Sequence, residues 1–245
     1  TYVTRMDADD IMPPNKLELM VASCEPNTVV TGKVKYIGEN LREGYIYYQD
    51  WLNKFVDNDN HYSEIYRECV IPSPCWMMER QTFEKIGAFN SDIYPEDYEL
   101  VFRMYQYEIK VKRINELLHI WRDHSKRASR NDENYSDNNF LDLKEKYFLE
   151  LDYNSGKKLC VLGAGKKGKT LVKKFIERGI DFTWATDNPN KIGKNIYGKV
   201  IANQEAIFDT DAPHQLIILV ANNEEQHMIK EQLTNNPNVE GFWFC

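Results

Sequence analysis

Residues 158–168, Lys-Leu-Cys-Val-Leu-Gly-Ala-Gly-Lys-Lys-Gly, constrain the fold of this chain more than any other stretch. An apolar run at Lys158–Leu162 meets glycines at 163, 165 and 168, and Lys166–Arg178 then carries apolar residues at helical spacing. A short apolar run bounded by glycine reads as a buried strand. A strand that turns directly into a helix sends the chain back along the sheet, so the next strand lies parallel to it. The alternation continues with a strand at Asp181–Thr186, a buried strand at Leu216–Ala221, a helix at Glu224–Leu233 and a strand at Val239–Phe244. Asn154-Ser155-Gly156 breaks the chain just before this pattern, so residues 154–245 read as a small parallel α/β domain. Glycines at 163, 165 and 168 let a backbone approach phosphate at a helix start. Asp187 follows Gly168 by 19 residues, at the end of the next strand, where an acid reaches a ribose hydroxyl. The same glycines also serve a βαβ unit that only packs, so nucleotide binding and pure packing both remain open at this point.

The amino-terminal part carries a different signal. Tyr2–Met6 reads as a short strand that ends in Asp7, Asp9 and Asp10. Ligands of open α/β sheets bind just outside the carboxyl ends of strands. Asp7 and Asp9, two apart, can reach one divalent cation, and their hard oxygens suit Mg²⁺ or Mn²⁺ with bound phosphates. Pro13-Pro14 opens a helix with Leu17, Met20, Val21 and Cys24 on one face, and Thr28–Ile37 reads as a strand. Short helices are expected at 51–56 and 62–69, a strand at Cys75–Met78, a short helix at Thr82–Ile86 stopped by Gly87, and strand and turn at Val111–Trp121. Glu96–Tyr107 is a helix whose first turn holds Glu96 and Asp97. Acids there suit the helix dipole. Asp97 also precedes Leu100, Val101 and Met104 on the buried face, and an acid aimed inward needs a partner or a task. Its ordinary pKa of about 3.9 would leave it ionised and able to accept a proton. His124 follows the last strand of this part and heads a polar stretch with Lys126, Arg127 and Arg130, either a solvated face or a set of charges for a diphosphate. Residues 123–139 read as a linker, and Phe140–Leu151 as an amphipathic helix.

Composition narrows the function classes. With 42% hydrophobic and 13% aromatic residues the chain can bury a core. Its net charge of −7 opposes general nucleic-acid binding, which leaves a basic footprint. No apolar run approaches the roughly 20 residues of a membrane span, and no signal peptide is visible. Five cysteines, odd in number and widely spaced, form neither a zinc pattern nor a disulfide framework, so a cytoplasmic setting is expected. A first strand already running into its functional loop suggests a fragment whose amino-terminal strands are missing.

Several landmarks occur in order: Asp7-Ala8-Asp9-Asp10, Pro72-Ser73-Pro74-Cys75-Trp76-Met77-Met78-Glu79-Arg80, Gly87-Ala88-Phe89-Asn90, Glu96-Asp97-Tyr98-Glu99-Leu100 with Arg103, and His124-Ser125 with Ser129. This ordered set, over roughly residues 1–130, resembles the family 2 glycosyltransferases of the GT-A fold. The resemblance implies an α/β fold: a partial GT-A nucleotide-diphospho-sugar transferase domain at 1–153, lacking its amino-terminal strands and nucleobase pocket, followed by a Rossmann-like domain at 154–245. It implies metal-dependent, inverting transfer from a nucleotide-sugar donor to a glycan or lipid-linked acceptor, in the setting of bacterial surface polysaccharide synthesis. By the same resemblance Asp7 and Asp9 hold the donor ribose and the metal-bound diphosphate, His124 completes the metal site, Asp97 with Glu96 supplies the base, and Trp76 and Met77 line the acceptor side, while Arg127, as a cation of the loop after His124, is a candidate for the diphosphate. A lipid-linked acceptor would bring the protein to the inner face of the membrane as a peripheral partner. Asp187-Asn188-Pro189 with Gly193, Gly198 and Val200 resembles the Rossmann-like domain of sugar acyltransferases, which implies a nucleotide or nucleotide sugar at Gly163, Gly165, Gly168 and Asp187. Two alternatives from other classes remain: a non-catalytic nucleotide-sugar-binding or assembly module, and an NAD(P)-linked oxidoreductase.

Overall fold

The computed structural model describes residues 1–39, 41–90, 92–124, 139–209 and 212–245. The chain divides into two compact units: residues 1–65 with 69–139, and residues 66–68 with 140–245.

The first unit contains β1 (Tyr2–Thr4), α1 (Lys16–Ser23), β2 (Thr28–Ile37), α2 (Glu43–Asn58), β3 (Trp76–Glu79), α3 (Arg80–Lys85), α4 (Glu96–Gln106) and β4 (Lys110–Arg122). Its sheet has the order β1-β3-β2-β4. β3 runs antiparallel to both β1 and β2, and β2 runs parallel to β4. β1, β2 and β4 therefore point the same way, and the acidic turn after β1 and the His124 segment after β4 emerge at the same edge. Val30, Val34, Tyr36, Leu52, Met77, Leu118 and Trp121 close the core on one face. α2 is much longer than the 51–56 helix expected from sequence. Gly44 and four tyrosine or tryptophan residues weaken its local helix signal, but Leu52, Phe55 and Val56 are buried, and tertiary packing overrides propensity. β4 is one continuous strand of 13 residues, with register shifts against β2 at Gly32–Val34, where strand and turn were expected. The helix expected at 62–69 is only a 3₁₀ turn at His61–Glu64.

The second unit contains α5 (Asn139–Tyr147), β5 (Lys158–Leu162), α6 (Lys166–Glu177), β6 (Thr183–Thr186), β7 (Asn195–Ile196), β8 (Lys199–Val200), β9 (Ala202–Asn203), α7 (Glu205–Phe208), β10 (His214–Ile218), α8 (Asn223–Asn235) and β11 (Val239–Trp243). Its five-stranded sheet has the order β11-β10-β5-β6-β9. Every neighbouring pair is parallel. The chain order thus reverses between β5 and β10, the switch point at which open α/β sheets bind ligands. The expected parallel α/β architecture is present, and the whole chain is mixed α/β with this Rossmann-like sheet in its second unit. α5 and the π-helical turn Phe148–Asp152 fall in this unit, ahead of the boundary at 153/154 read from sequence. Leu141, Leu143, Tyr147 and Phe148 are buried. Glu145, also buried, accepts from Arg178 Nε at 2.9 Å. Tyr66 belongs here too: its ring stacks 5.4 Å from Phe244, and its hydroxyl donates to Asp152 Oδ2 at 2.5 Å. Among the described residues no helix is long and apolar enough to cross a membrane.

Candidate functional site

The acidic turn after β1 is pinned to β4. Ile11 and Ile120 exchange backbone hydrogen bonds of 2.9 and 3.1 Å. Asp10, only 3% exposed, accepts from the Arg122 backbone N–H at 2.9 Å and pairs with the fully buried His119 Nε2 at 2.9 Å. Asp10 is therefore an internal fastener of the turn. With Asp10 turned inward, Asp9 points the other way, and its Oδ2 lies 2.8 Å from His124 Nε2. Asp9 and His124 are both open to solvent, at 53% and 40%. The structure thus brings together two of the three residues that the sequence reading assigned to a metal. One carboxylate oxygen and one imidazole nitrogen fit Mg²⁺ or Mn²⁺, whose remaining positions suit diphosphate oxygens and water. Asp7 does not join them. Its Oδ1 accepts from Arg5 Nε at 3.2 Å. Among the described residues no three His, Cys, Asp or Glu side chains gather into a metal group.

The same Arg5 reaches α4. Its Nη1 donates to Glu96 Oε1 at 3.0 Å. Beside this pair sits Asp97, whose Oδ1 accepts from the Tyr98 backbone N–H at 2.7 Å. Burial, then the Glu96 charge, pushes the Asp97 carboxyl above the ordinary carboxylate range, while the Tyr98 N–H and Arg5 pull it back. A carboxyl raised in this way is a stronger base than the ordinary ionised acid expected from sequence. Glu99 is 3% exposed and faces inward, ion-paired to Arg103 at 2.8 Å. Arg103 also donates to the carbonyls of Ile86 and Ala88, so this pair ties α4 to the end of α3. Trp76 and Met77, expected on the acceptor side, are 2% and 3% exposed in β3. Trp76 packs on Phe83 and Phe89, and Met77 joins the core. Both side chains face the interior because β3 is the central antiparallel strand of the sheet. Arg127, with Lys126 and Arg130, lies outside the described residues.

In the second unit the three glycines separate into two kinds. Gly163 has φ +119°, and a Cβ there would lie 2.7 Å from Leu219 O. A Cβ on Gly168 would lie 2.1 Å from Gly163 O. These two are required by packing between β5, β10 and α6. Gly165, at the start of α6, has no atom within 4 Å of a Cβ and is exposed. It leaves open space above the helix end, and no side chain caps that end. The loop carbonyls are occupied: Trp184 Nε1 donates to Gly163 O at 3.0 Å, and Lys191 Nζ donates to Ala164 O at 2.9 Å. Lys166 and Lys167 follow directly. Across the switch point the α8 start is different: Asn222 caps it, and Glu224 and Glu225 add negative charge. An anion is therefore favoured at α6 and disfavoured at α8. Asp187 is exposed just past β6. Burial, then the Asp187 charge, raises the Glu225 carboxyl, so these two acids face one another.

Arg5 and Lys16 were not singled out from sequence, and Asp10 was named in the acidic turn without a role of its own. Lys16, fully buried, donates its Nζ to Pro74 O at 2.7 Å. A lysine in the first turn of an amphipathic helix gives no sign that it is internal. Arg5 alternates with Asp7 along an extended stretch, and that same-face spacing is the one local signal of their pairing.

Residues 1–87 match Glycosyl transferase family 2, and this supports a glycosyltransferase family 2 domain there. The match spans Asp7 and Asp9 and ends before Asp97 and His124. No curated protein matches the chain. Among solved structures, RSP, a Rex-family repressor, is 16% identical with a TM-score of 0.31, covering 84% of this chain and 81% of its own. RSP in complex with β-NADH is similar at 13% identity and a TM-score of 0.31, covering 84% and 88%. L-tryptophan dehydrogenase from Nostoc punctiforme is 13% identical with a TM-score of 0.30, covering 87% of this chain and 60% of its own.

Proposed function

We propose that the first unit is the diphosphate-holding and acceptor-activating part of an inverting, metal-dependent glycosyltransferase. One observation carries the reading: the exposed Asp9–His124 pair and the raised Asp97 carboxyl belong to one edge, joined through the turn that Arg5 and Asp10 fasten. In this reading Asp9 and His124 hold Mg²⁺ or Mn²⁺, which as a Lewis acid would stabilise charge on the departing diphosphate. Asp97 takes the proton of the acceptor hydroxyl. The acceptor oxygen bonds to the anomeric carbon as the bond from that carbon to the diphosphate breaks, and the proton stays on the Asp97 carboxyl. Asp7, engaged with Arg5, shapes the turn instead of binding the metal. The acceptor is a glycan or a lipid-linked sugar, the setting bacterial surface polysaccharide synthesis.

The second unit would take a nucleotide or nucleotide sugar at the open Gly165 corner, with Asp187 on a ribose hydroxyl. The uncapped, lysine-flanked start of α6 and the switch-point position support it. The test of the catalytic reading is Asp97→Asn in the full chain with a panel of nucleotide sugars. Asn keeps the shape but cannot accept the proton, so turnover should fall by ~10²–10⁴ with donor affinity little changed. Near-normal turnover in this variant would reject Asp97 as the base.

A further inference from the structure

Arg5 occupies an unusual place between the two halves of the proposed site. It stands just past β1, and one guanidinium serves two carboxylates from separate elements: Asp7 of the acidic turn at 3.2 Å through Nε, and Glu96 of α4 at 3.0 Å through Nη1. The pair partners are 91 residues apart in sequence at the Arg5–Glu96 contact. All three side chains are about a third exposed. Partly exposed ion pairs contribute little to stability. Stability is thus a weak reason for a forked contact here. Geometry is a stronger one, because a planar guanidinium fixes two carboxylates in orientation as well as distance, which an ammonium cannot do.

We propose that Arg5 is a positioning residue, holding the diphosphate-side acidic turn in register with the α4 start that carries the Asp97 base. The proposal rests on the glycosyltransferase reading above. Removing the guanidinium leaves Asp7, Glu96 and Asp97 as neighbouring acids without the cation that bridges them, although the buried Lys16 charge still acts on Asp7. The turn and the helix start then repel. Asp97 also loses one of the three influences that lower its proton affinity, keeping those of the Tyr98 N–H and Ser73, while the Glu96 charge that raises it remains.

The test compares Arg5→Gln and Arg5→Lys in the full chain. Arg5→Gln should melt close to the parent and bind donor diphosphate normally, yet lose roughly 100-fold in kcat, the scale set by small misplacements of reacting groups. Its acidic limb in the kcat profile should move to higher pH, and Glu96→Gln added to it should move the limb back. Arg5→Lys should restore the limb but only part of kcat, since the charge returns without the fork. A carbon NMR titration of the Asp97 carboxyl reports the same coupling without any turnover. Parent protein that transfers no sugar would defeat the glycosyltransferase reading, while the NMR shift would still decide the coupling. An Arg5→Gln variant with parental kcat, parental limb and an unmoved Asp97 titration would overturn the proposal. So would one whose only defect is donor affinity.

Discussion

Two substitutions in one glycine loop should have opposite consequences. A methyl group on Gly168 would meet the Gly163 carbonyl oxygen at 2.1 Å, and that oxygen is held by Trp184 Nε1. Carbon and oxygen cannot approach within 3.0 Å, so α6 and the loop must separate by roughly 1 Å. Overpacking of this kind costs about 1–3 kcal/mol. Replacing a helical glycine returns up to about 1 kcal/mol of backbone entropy. An overlap this deep places the cost at the upper end, so the net loss for Gly168→Ala is about 2 kcal/mol, or roughly 8–16 °C in the melting of a unit of about a hundred residues. Gly165→Val differs in every respect. Its backbone, φ −77° and ψ −167°, is extended and open to any residue, and nothing lies within 4 Å of the new Cβ. The ligand-free melt should stay within about 0.5 kcal/mol of the parent. The bulk it adds fills the space a phosphate would use. Differential scanning calorimetry of the full chain, with and without NAD, NADP, UDP-sugars and CMP-sugars, separates the two. The parent should gain stability as RT ln(1 + [L]/Kd), about 2.7 kcal/mol at a hundredfold excess of the bound nucleotide. Gly165→Val should gain none. A Gly168→Ala variant that melts like the parent would refute the packing argument. A Gly165→Val variant that is destabilised without ligand, or still responds to it, would refute the open-corner argument.

Removing Arg103 strands Glu99 in the interior, so Arg103→Ala should cost about 3–5 kcal/mol by urea denaturation, and Glu99→Gln in that background should recover part of it. His61 is 4% exposed, its two ring nitrogens lack hydrogen-bond partners, and burial pushes its pKa down to about 4. The folded chain keeps His61 neutral while the unfolded chain protonates it below about 6.5. Its contribution is complete above pH 6.5 and lost progressively as pH falls to about 4, near 3 kcal/mol in all. His61→Phe should flatten that part of the stability–pH curve, and a curve of unchanged slope would contradict the assignment.

Periodicity made the second unit legible. β5, α6 and the parallel order follow from Lys158–Leu162, the glycines and the spacing of Leu171, Val172 and Phe175, because each element buries its own apolar face. The two-residue strand β9 was missed, since Ala202–Asn203 carries no pattern of its own and pairs only with Ala185–Thr186. In the first unit α4 was legible from its apolar stripe, whereas the first half of α2 was not. The Asp9–His124 pairing depends on the Ile11–Ile120 bridge and the Asp10 contacts, which join segments more than a hundred residues apart. Local spacing holds no trace of such contacts, and only the family resemblance suggested the pair. The burial of Trp76 and Met77 was hidden for the same reason: an apolar run does not say whether its strand is central or lines a cleft.

The account stands on the Asp9–His124 pair as the place where a nucleotide diphosphate and its metal are held. Isothermal calorimetry of the full chain with UDP, GDP and CDP, each with and without Mn²⁺, tests this directly. At least one nucleoside diphosphate should bind more tightly with Mn²⁺, and both Asp9→Ala and His124→Ala should abolish the metal-dependent gain while Asp7→Asn retains most of it. Metal-dependent binding that survives in Asp9→Ala and His124→Ala would contradict the account.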